Sequence, residues 1–122
     1  MTIERGSELR DLLVEGKLDE FNRRASEEAP DLENAGLRGL DLRGADLSHA
    51  NLRGAYMRNS DLRGVDMIYA DLDGASVHGA RIGGARFPRN VSAAEIDLSI
   101  RHGTRLRIST AVGSASSAKE DS

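Results

Sequence analysis

Three histidines are the residues of this 122-residue chain most suited to catalysis or metal binding. His49, His78 and His102 occupy different positions of the sequence pattern, and none has a second histidine at the short spacing typical of a metal site. No serine and carboxylate accompany them in an arrangement that indicates nucleophilic catalysis. The chain has no cysteine, which excludes thiol chemistry and disulfides. We therefore predict no catalytic residue, no metal site and no cofactor.

Carboxylates form a second candidate group, because they recur at intervals of five residues. Paired carboxylates can act as general acid and base or hold a cation. Many of these residues, however, have an arginine two positions later, which favours a solvated ladder of alternating charge. The recurrent position is filled by Asp31, Asp41, Asp46, Asn51, Asp61, Asp66 and Asp71. Since Asp and Asn bond their own backbone in turns, we predict a structural role for this row.

An apolar side chain also recurs at every fifth residue from Leu32 to Phe87. A helix would scatter this row around its surface, and a flat strand would turn half of it into water. A chain that turns a corner once per five residues brings all of these side chains to one enclosed axis, as in a solenoid. The row consists of Leu32, Leu37, Leu42, Leu47, Leu52, Met57, Leu62, Met67, Leu72, Val77, Ile82 and Phe87.

Two further regularities complete the five-residue unit. A small residue, most often alanine, precedes most central residues by two positions, and glycine often stands at the corner. With these features the segments 45–49, 50–54 and 70–74 closely resemble the pentapeptide-repeat family, and the resemblance covers residues 30–89. It implies an all-β solenoid, namely a right-handed quadrilateral β-helix with four repeats per coil and three coils.

The segments on either side of the repeats are predicted to cap them. In residues 1–29, Ser7 can cap a first helix that ends at Gly16, and a second helix runs from Leu18 to about Glu28. This helical hairpin has an apolar face suited to covering the first coil, whose edge would otherwise be exposed. Pro30 then ends the second helix.

A second cap is predicted in residues 90–108. Ser92 and Glu95 form a capping box, Val91 and Ile96 a hydrophobic staple, and Gly103 a helix stop. The helix would lay Ile96, Leu98 or Ile100 on the last coil. Residues 104–108 alternate between polar and apolar types, which leaves open a short edge strand or a dimer contact. Residues 109–122 are small and polar and are predicted to be a disordered tail.

Two surface features are candidates for binding a partner. Arg38, Arg58 and His78 align on one face of the predicted solenoid and Arg43 and Arg63 on the next, which makes a basic stripe suited to an acidic partner. Outward apolar groups can also mark contacts, and we expect Tyr56 on one face and Ile68 and Tyr69 on another. The candidate partner-binding surface is therefore Arg38, Arg43, Arg58, Arg63, Tyr56, Ile68 and Tyr69.

The balance of charge bears on what this surface could bind. The best-understood members of the family imitate duplex DNA and act on gyrase and other type II topoisomerases, a function that requires an acidic rod. DNA carries about one negative charge per 1.7 Å of axis. Residues 30–89 contain as many arginines as acidic residues, so the solenoid has no net charge.

These observations lead to one leading function and one alternative. We predict a non-enzymatic protein-protein interaction or scaffold module, bacterial and cytoplasmic, with a regulatory role and an unknown protein partner. A DNA-mimicking, gyrase-interacting protein is the alternative. Homodimerisation through a solenoid end stays open. No membrane segment is indicated, and direct nucleic-acid binding is disfavoured because stacking aromatics are absent from the basic stripe.

Overall fold

Three helices flank a central run of turns in the computed structural model, which describes residues 2–109, with side chains from residue 8 onward. Helix α1 spans Thr2–Val14, α2 spans Leu18–Glu27 and α3 spans Ala93–His102. The repeats fill the interval between α2 and α3. None of the helices in the described part of the chain has both the length and the apolarity that a membrane-crossing segment needs.

The repeats are held together by parallel β-bridges between residues twenty positions apart. Because each repeat has five residues, these bridges give four repeats per turn, as the resemblance to the family implied. The bridges are Asp31 with Asn51, Gly36 with Tyr56, Asp41 with Asp61, Asn51 with Asp71, Tyr56 with Ser76, Asp61 with Arg81, and Asp66 with Arg86.

The prediction of an all-β solenoid between helical caps needs one correction, which concerns the strands. Each bridge is isolated, so no continuous strand forms among residues 2–109, and the regular elements of the described chain are helices. The physical reason is the corner at every repeat, which leaves too few extended residues on one side for a strand.

The interior of the solenoid is the predicted apolar row. Its first ten members, Leu32 through Val77, are almost completely excluded from solvent. Ile82 and Phe87 are only partly buried, because they lie at the end of the row where no further repeat covers them. The small residues from Ala45 to Ala80 are buried as well and let successive turns approach closely.

The corners are stabilised by side-chain to backbone bonds, as the sequence predicted. In every case the Asp or Asn Oδ1 accepts the backbone N–H two residues later, and Asp66 to Ile68 is the shortest at 3.0 Å. Glycines with positive φ complete the turns, and Asn34 and Asn59 adopt φ 60° where glycine is missing. All seven residues of the row make this bond: Asp31, Asp41, Asp46, Asn51, Asp61, Asp66 and Asp71.

The N-terminal hairpin packs on the first repeats of its own chain. Leu9, Leu13 and Phe21 are buried against them. The Asn22 side chain donates to the Gly44 carbonyl at 2.9 Å and accepts the Asp46 N–H at 2.8 Å. One amide thus provides a donor and an acceptor to backbone groups at an edge that no earlier repeat covers.

The predicted start of the first helix was wrong. Helix α1 begins at Thr2, so Ser7 lies inside the helix and does not cap it. A serine followed by a helical pattern is a weak signal, because a helix can extend through residues of low helix propensity such as Gly6. The predicted end is correct, since Gly16 has φ 74° and its N–H bonds to the Leu13 carbonyl at 3.2 Å.

Helix α3 forms where the sequence predicted it. Ser92 Oγ accepts the Glu95 N–H at 3.1 Å, and Gly103 ends the helix in the left-handed conformation. The other half of the predicted capping box is replaced, because the Glu95 carboxylate binds the Arg107 guanidinium at 3.0 Å. Of the three residues expected to face the last coil, Ile96 and Ile100 pack against the core, whereas Leu98 is 40% exposed.

The inner face of α3 is centred on Ser99, which the sequence did not indicate. Ser99 is fully buried, and its Oγ accepts the Val77 N–H at 3.0 Å. The Ile100 carbonyl accepts the Gly79 N–H at 3.0 Å. Helix α3 therefore takes up backbone donors that a further repeat would otherwise bind.

Residues 104–108 follow α3 along the same edge of the solenoid. They form no strand, but Leu106 is buried, donates to the Ala75 carbonyl and accepts the Gly74 N–H, both at 2.7 Å. The inward position of Leu106 agrees with the alternation of this segment. The predicted disordered tail lies outside the described residues, apart from Ser109.

Candidate protein-interaction surface

One face of the solenoid carries a groove with a cavity volume of about 330 Å³, which we call the basic groove. Its walls come from three successive turns of the chain and from the segment after α3. None of its lining residues is acidic. They are Arg38, Tyr56, Arg58, Ser76, His78, Gly103 and Arg105.

The repeat backbone places two columns of side chains in this groove. Tyr56 and Ser76 belong to one column, because they are bridge partners. Arg58 follows Arg38 in the other, since the Gly39 N–H bonds to the Arg58 carbonyl at 2.8 Å. Residues in adjacent layers of such a stack lie about 4.8 Å apart, so the two arginines start from neighbouring positions.

His78 continues the column of Arg38 and Arg58 toward α3. The Asn59 N–H bonds to the His78 carbonyl at 2.8 Å, which fixes its register. The imidazole packs beneath Gly103, and its Nδ1 is buried with no hydrogen-bond partner among the residues that the structure describes. The histidine thus connects the groove to the C-terminal cap.

Arg105 brings a third guanidinium to the groove from a distant part of the sequence. It lies over the Tyr56 ring at 5.0 Å from the centroid, and it donates to the Tyr56 hydroxyl at 2.6 Å and to the Gly74 carbonyl at 2.8 Å. Stacking and two hydrogen bonds together hold the side chain in one orientation. The Tyr56 ring is therefore the surface on which the Arg105 guanidinium stacks.

The charge of the groove is not neutralised within the described residues. Arg38 and Arg58 make no ion pair there, and the groove partners of Arg105 are a phenol and a carbonyl. Three arginines line the groove, and none of its lining residues carries a carboxylate. Such an arrangement favours an anion from outside the chain.

The predicted extension of the basic stripe, Arg43 and Arg63, does not line this groove. Arg43 binds Asp41 at 2.8 Å and also approaches Asp61 at 3.4 Å, while Arg63 binds Asp61 at 2.7 Å. This is the predicted ladder of alternating charge. On that face the guanidinium groups form ion pairs with carboxylates of the same chain.

The pKa values of the ladder report the same pairing. The hydrogen bond from Arg63 is the main cause that lowers the pKa of Asp61 to about 2, and the hydrogen bond from Arg43 is the main cause that lowers the pKa of Asp41. The pKa of each arginine is raised in return. Both carboxylates therefore stay ionised at neutral pH and keep this face neutral.

Ile68 and Tyr69 lie elsewhere, in a shallow depression of about 620 Å³ with Arg86, Pro88 and Arg89. Tyr69 is 70% exposed, and its ring stacks on His49 with 5.1 Å between centroids. We call this second surface the Tyr69 patch. The Tyr69 patch does not include Tyr56. Tyr56 therefore lies apart from Ile68 and Tyr69, as we predicted from the sequence.

Sequence reasoning missed Arg105 as a member of the site. The alternation of residues 104–108 contained a signal, because an inward Leu106 leaves its neighbours Arg105 and Arg107 pointing outward. What the alternation does not give is the contact of Arg105 with Tyr56, 49 positions earlier in the chain. That contact depends on how α3 folds back on the solenoid.

The chemistry available on these surfaces is recognition. Guanidinium groups bind carboxylates and phosphates in forked geometry, and exposed tyrosines provide contact area at a small entropic cost. Among the described residues, no group of three or more His, Asp or Glu side chains could hold a metal ion.

A twenty-residue turn built from four five-residue repeats, with an apolar axis and outward polar columns, defines the class of solenoid repeat proteins. A family model for pentapeptide repeats matches residues 31–64, 41–79 and 50–87, with 8 copies of the repeat. Residues 31–87 are therefore pentapeptide repeats of this family, and such repeats imply a right-handed β-helix. No curated protein matches the chain.

Proposed function

We propose that this protein is a non-enzymatic interaction module that binds an acidic protein partner through the basic groove. Members of the pentapeptide-repeat family are generally structural modules without enzymatic activity, and the family suggests an interaction or scaffold role. In this proposal residues 30–89 form three coils of a right-handed quadrilateral β-helix. The helices at both ends keep this scaffold rigid.

The observation that carries the proposal is the contrast between two neighbouring faces. Arg43 and Arg63 are bound by Asp41 and Asp61, whereas Arg38 and Arg58 have no ion-pair partner among residues 2–109. Unpaired guanidinium groups beside a half-exposed tyrosine have the composition of a protein-binding hot spot.

The scaffold also supports recognition through its rigidity. Each turn is fixed by bridges to the next, and the basic groove is closed on one side by Arg105 and Gly103 of the C-terminal cap. Side chains that are already ordered lose little conformational entropy on binding. The partner in this proposal therefore meets a preformed surface.

The alternative, a DNA mimic that acts on gyrase, requires uncompensated negative charge along the solenoid. Among the described residues, Asp41, Asp61, Asp66, Asp71 and Asp73 all have an arginine within ion-pair distance. This pairing favours the interaction module over the mimic. Protection or inhibition of gyrase in a supercoiling assay would reverse that order.

Affinity purification from the native cell lysate tests the proposal, with two matched double variants. Arg38→Gln with Arg58→Gln removes the unpaired cations, and Arg43→Gln with Arg63→Gln removes the same number of paired ones. We expect a partner that the wild type and the second variant retain and that the first variant loses. A partner retained equally by all three proteins, or by none, contradicts the proposal.

A further inference from the structure

The basic groove has the features of a site for one particular anion, and we propose that this anion is a phosphomonoester carried by the partner protein. Arg38, Arg58 and Arg105 would surround its terminal oxygens. This inference rests on the proposed function, because it specifies the chemistry of the acidic partner. It is tested separately below.

The number and origin of the cations favour a phosphate over a carboxylate. A carboxylate has two oxygens and is satisfied by one guanidinium fork, as Asp41 is by Arg43 with bonds of 2.9 and 2.8 Å. A phosphomonoester has three terminal oxygens and carries close to two negative charges at neutral pH. Three guanidinium groups from different parts of the groove match the larger charge and the greater number of acceptors.

Neutral donors in the groove add to this match. The Tyr56 oxygen accepts its hydrogen bond from Arg105, so the phenolic proton is free to be donated. Ser76 lies next to Tyr56 in the same column and has a hydroxyl of its own. Phosphate groups in proteins are commonly bound by this mixture of arginine and hydroxyl donors.

The groove is also partly preorganised. Arg105 is held by the Tyr56 ring and the Gly74 carbonyl before any ligand arrives. Arg38 and Arg58 start from adjacent, hydrogen-bonded layers of the solenoid. Mutual repulsion of these cations in the free protein would be relieved when a dianion binds.

The extent of the positive charge favours a single phosphate over a nucleic-acid backbone. A strand of nucleic acid presents a phosphate at every nucleotide, so a protein that binds it needs a continuous basic track. On this molecule the track ends at the next face, where Asp41 and Asp61 neutralise Arg43 and Arg63. The groove volume of about 330 Å³ is that of a small ligand pocket.

The direct test is a titration of the full chain with N-acetyl-O-phosphoserine amide, followed by NMR of the arginine Nε–Hε groups. We expect saturable shifts at Arg38, Arg58 and Arg105, and a dissociation constant that rises about tenfold or more in the Arg38→Gln, Arg58→Gln variant. The Arg43→Gln, Arg63→Gln variant should bind like the wild type. Unchanged circular dichroism verifies that both variants are folded.

Carboxylate and nucleic-acid probes decide whether phosphate is the correct ligand. N-acetylglutamate amide should bind at least about tenfold more weakly than the phosphoserine probe. Equal binding of the two probes, or tighter binding of a short single-stranded DNA at the same arginines, overturns the inference.

Treatment of the lysate with phosphatase separates this inference from the proposed function. If phosphate is the ligand, dephosphorylation abolishes capture of the partner that depends on Arg38 and Arg58. Capture that survives dephosphorylation and still depends on these arginines overturns the phosphate inference and leaves the proposed function standing. Capture that never depends on them contradicts the proposed function itself.

Discussion

Ser99 Oγ accepts the backbone N–H of Val77 at 3.0 Å, and the serine side chain is completely buried. The Ser99 hydroxyl therefore accepts a hydrogen bond from an N–H group that would bind a carbonyl of the next repeat in a longer solenoid. The same principle operates at the other end, where the Asn22 amide serves Gly44 and Asp46. Both ends are closed by side chains of the same chain.

Ser99→Ala should lower the free energy of unfolding by about 1–3 kcal/mol, because the buried Val77 N–H would lose its only described acceptor. Urea denaturation followed by circular dichroism measures this change. Leu98→Ala is the matched control on the same helix, since Leu98 is exposed and its truncation should cost less than about 0.5 kcal/mol. Equal effects of the two substitutions would contradict the capping role.

At the N-terminal cap, Asn22→Ala should destabilise the protein by about 1 kcal/mol, through the loss of two hydrogen bonds to backbone groups that remain partly accessible to water. Asn22→Asp keeps the acceptor for the Asp46 N–H but turns a carboxylate oxygen toward the Gly44 carbonyl oxygen, where the amide donated at 2.9 Å. We expect the aspartate variant to be less stable than wild type in urea denaturation. An aspartate variant as stable as wild type would disprove this account of the edge.

Gly103 and Gly16 provide a matched pair at two helix ends. Both have positive φ, 75° and 74°, so alanine at either position costs about 1–2 kcal/mol of backbone strain. A methyl group at 103 would lie 3.4 Å from the His78 ring, which is an ordinary van der Waals contact, and position 16 is open. Gly103→Ala and Gly16→Ala should therefore lower the thermal midpoint by similar amounts, set by the backbone conformation, and a much larger loss at position 103 would contradict this account.

The five-residue period made the core of this fold predictable, because it assigns each side chain to the axis, the corner or the surface. The buried row from Leu32 to Val77 and the corner bonds of residues such as Asp61 followed from that assignment. Ser92 also predicted the start of α3, because its side chain accepts a hydrogen bond from a backbone N–H only three residues later. What was predictable in this chain depends on short-range geometry.

The remaining features depend on contacts between distant segments. Ser99, Asn22 and Arg105 are ordinary polar residues in their own surroundings, and each gains its role only when a terminal segment docks on the repeats. Ser7 shows the opposite error, because a good local capping residue lies within a longer helix. Arg38, Arg58, His78 and Tyr56 of the basic groove were named from the sequence, but Arg105 was not, because it reaches the groove only when the C-terminal segment docks.

The pairing of Asp61 predicts a pH dependence of stability. Because its pKa falls from an ordinary 3.8 to about 2 in the folded protein, mainly through the hydrogen bond from Arg63, its contribution is present above pH 3.8 and is lost as the pH falls toward 2. Asp61→Asn should therefore reduce the slope of unfolding free energy against pH in this window. Asn51, which makes the same corner bond, indicates that the turn itself tolerates asparagine.

An unchanged slope in the Asp61→Asn variant would contradict this pairing in solution. Asp46→Asn serves as the control, because Asp46 also makes the corner bond but has no arginine within ion-pair distance among the described residues. Between pH 3.8 and about 2, we compare the slope of the unfolding free energy against pH in the two variants. We expect the slope of Asp46→Asn to be closer to the wild-type slope than that of Asp61→Asn.

The most direct test of the basic groove is site-specific photo-cross-linking in the native lysate, with a benzophenone amino acid in place of Tyr56 or, separately, of Tyr69. We predict that the probe at position 56 captures a partner and that the Arg38→Gln, Arg58→Gln substitutions abolish this capture. Capture of the same partner at position 69 alone, or capture at position 56 that is indifferent to these arginines, would contradict the assignment of the groove as the binding surface.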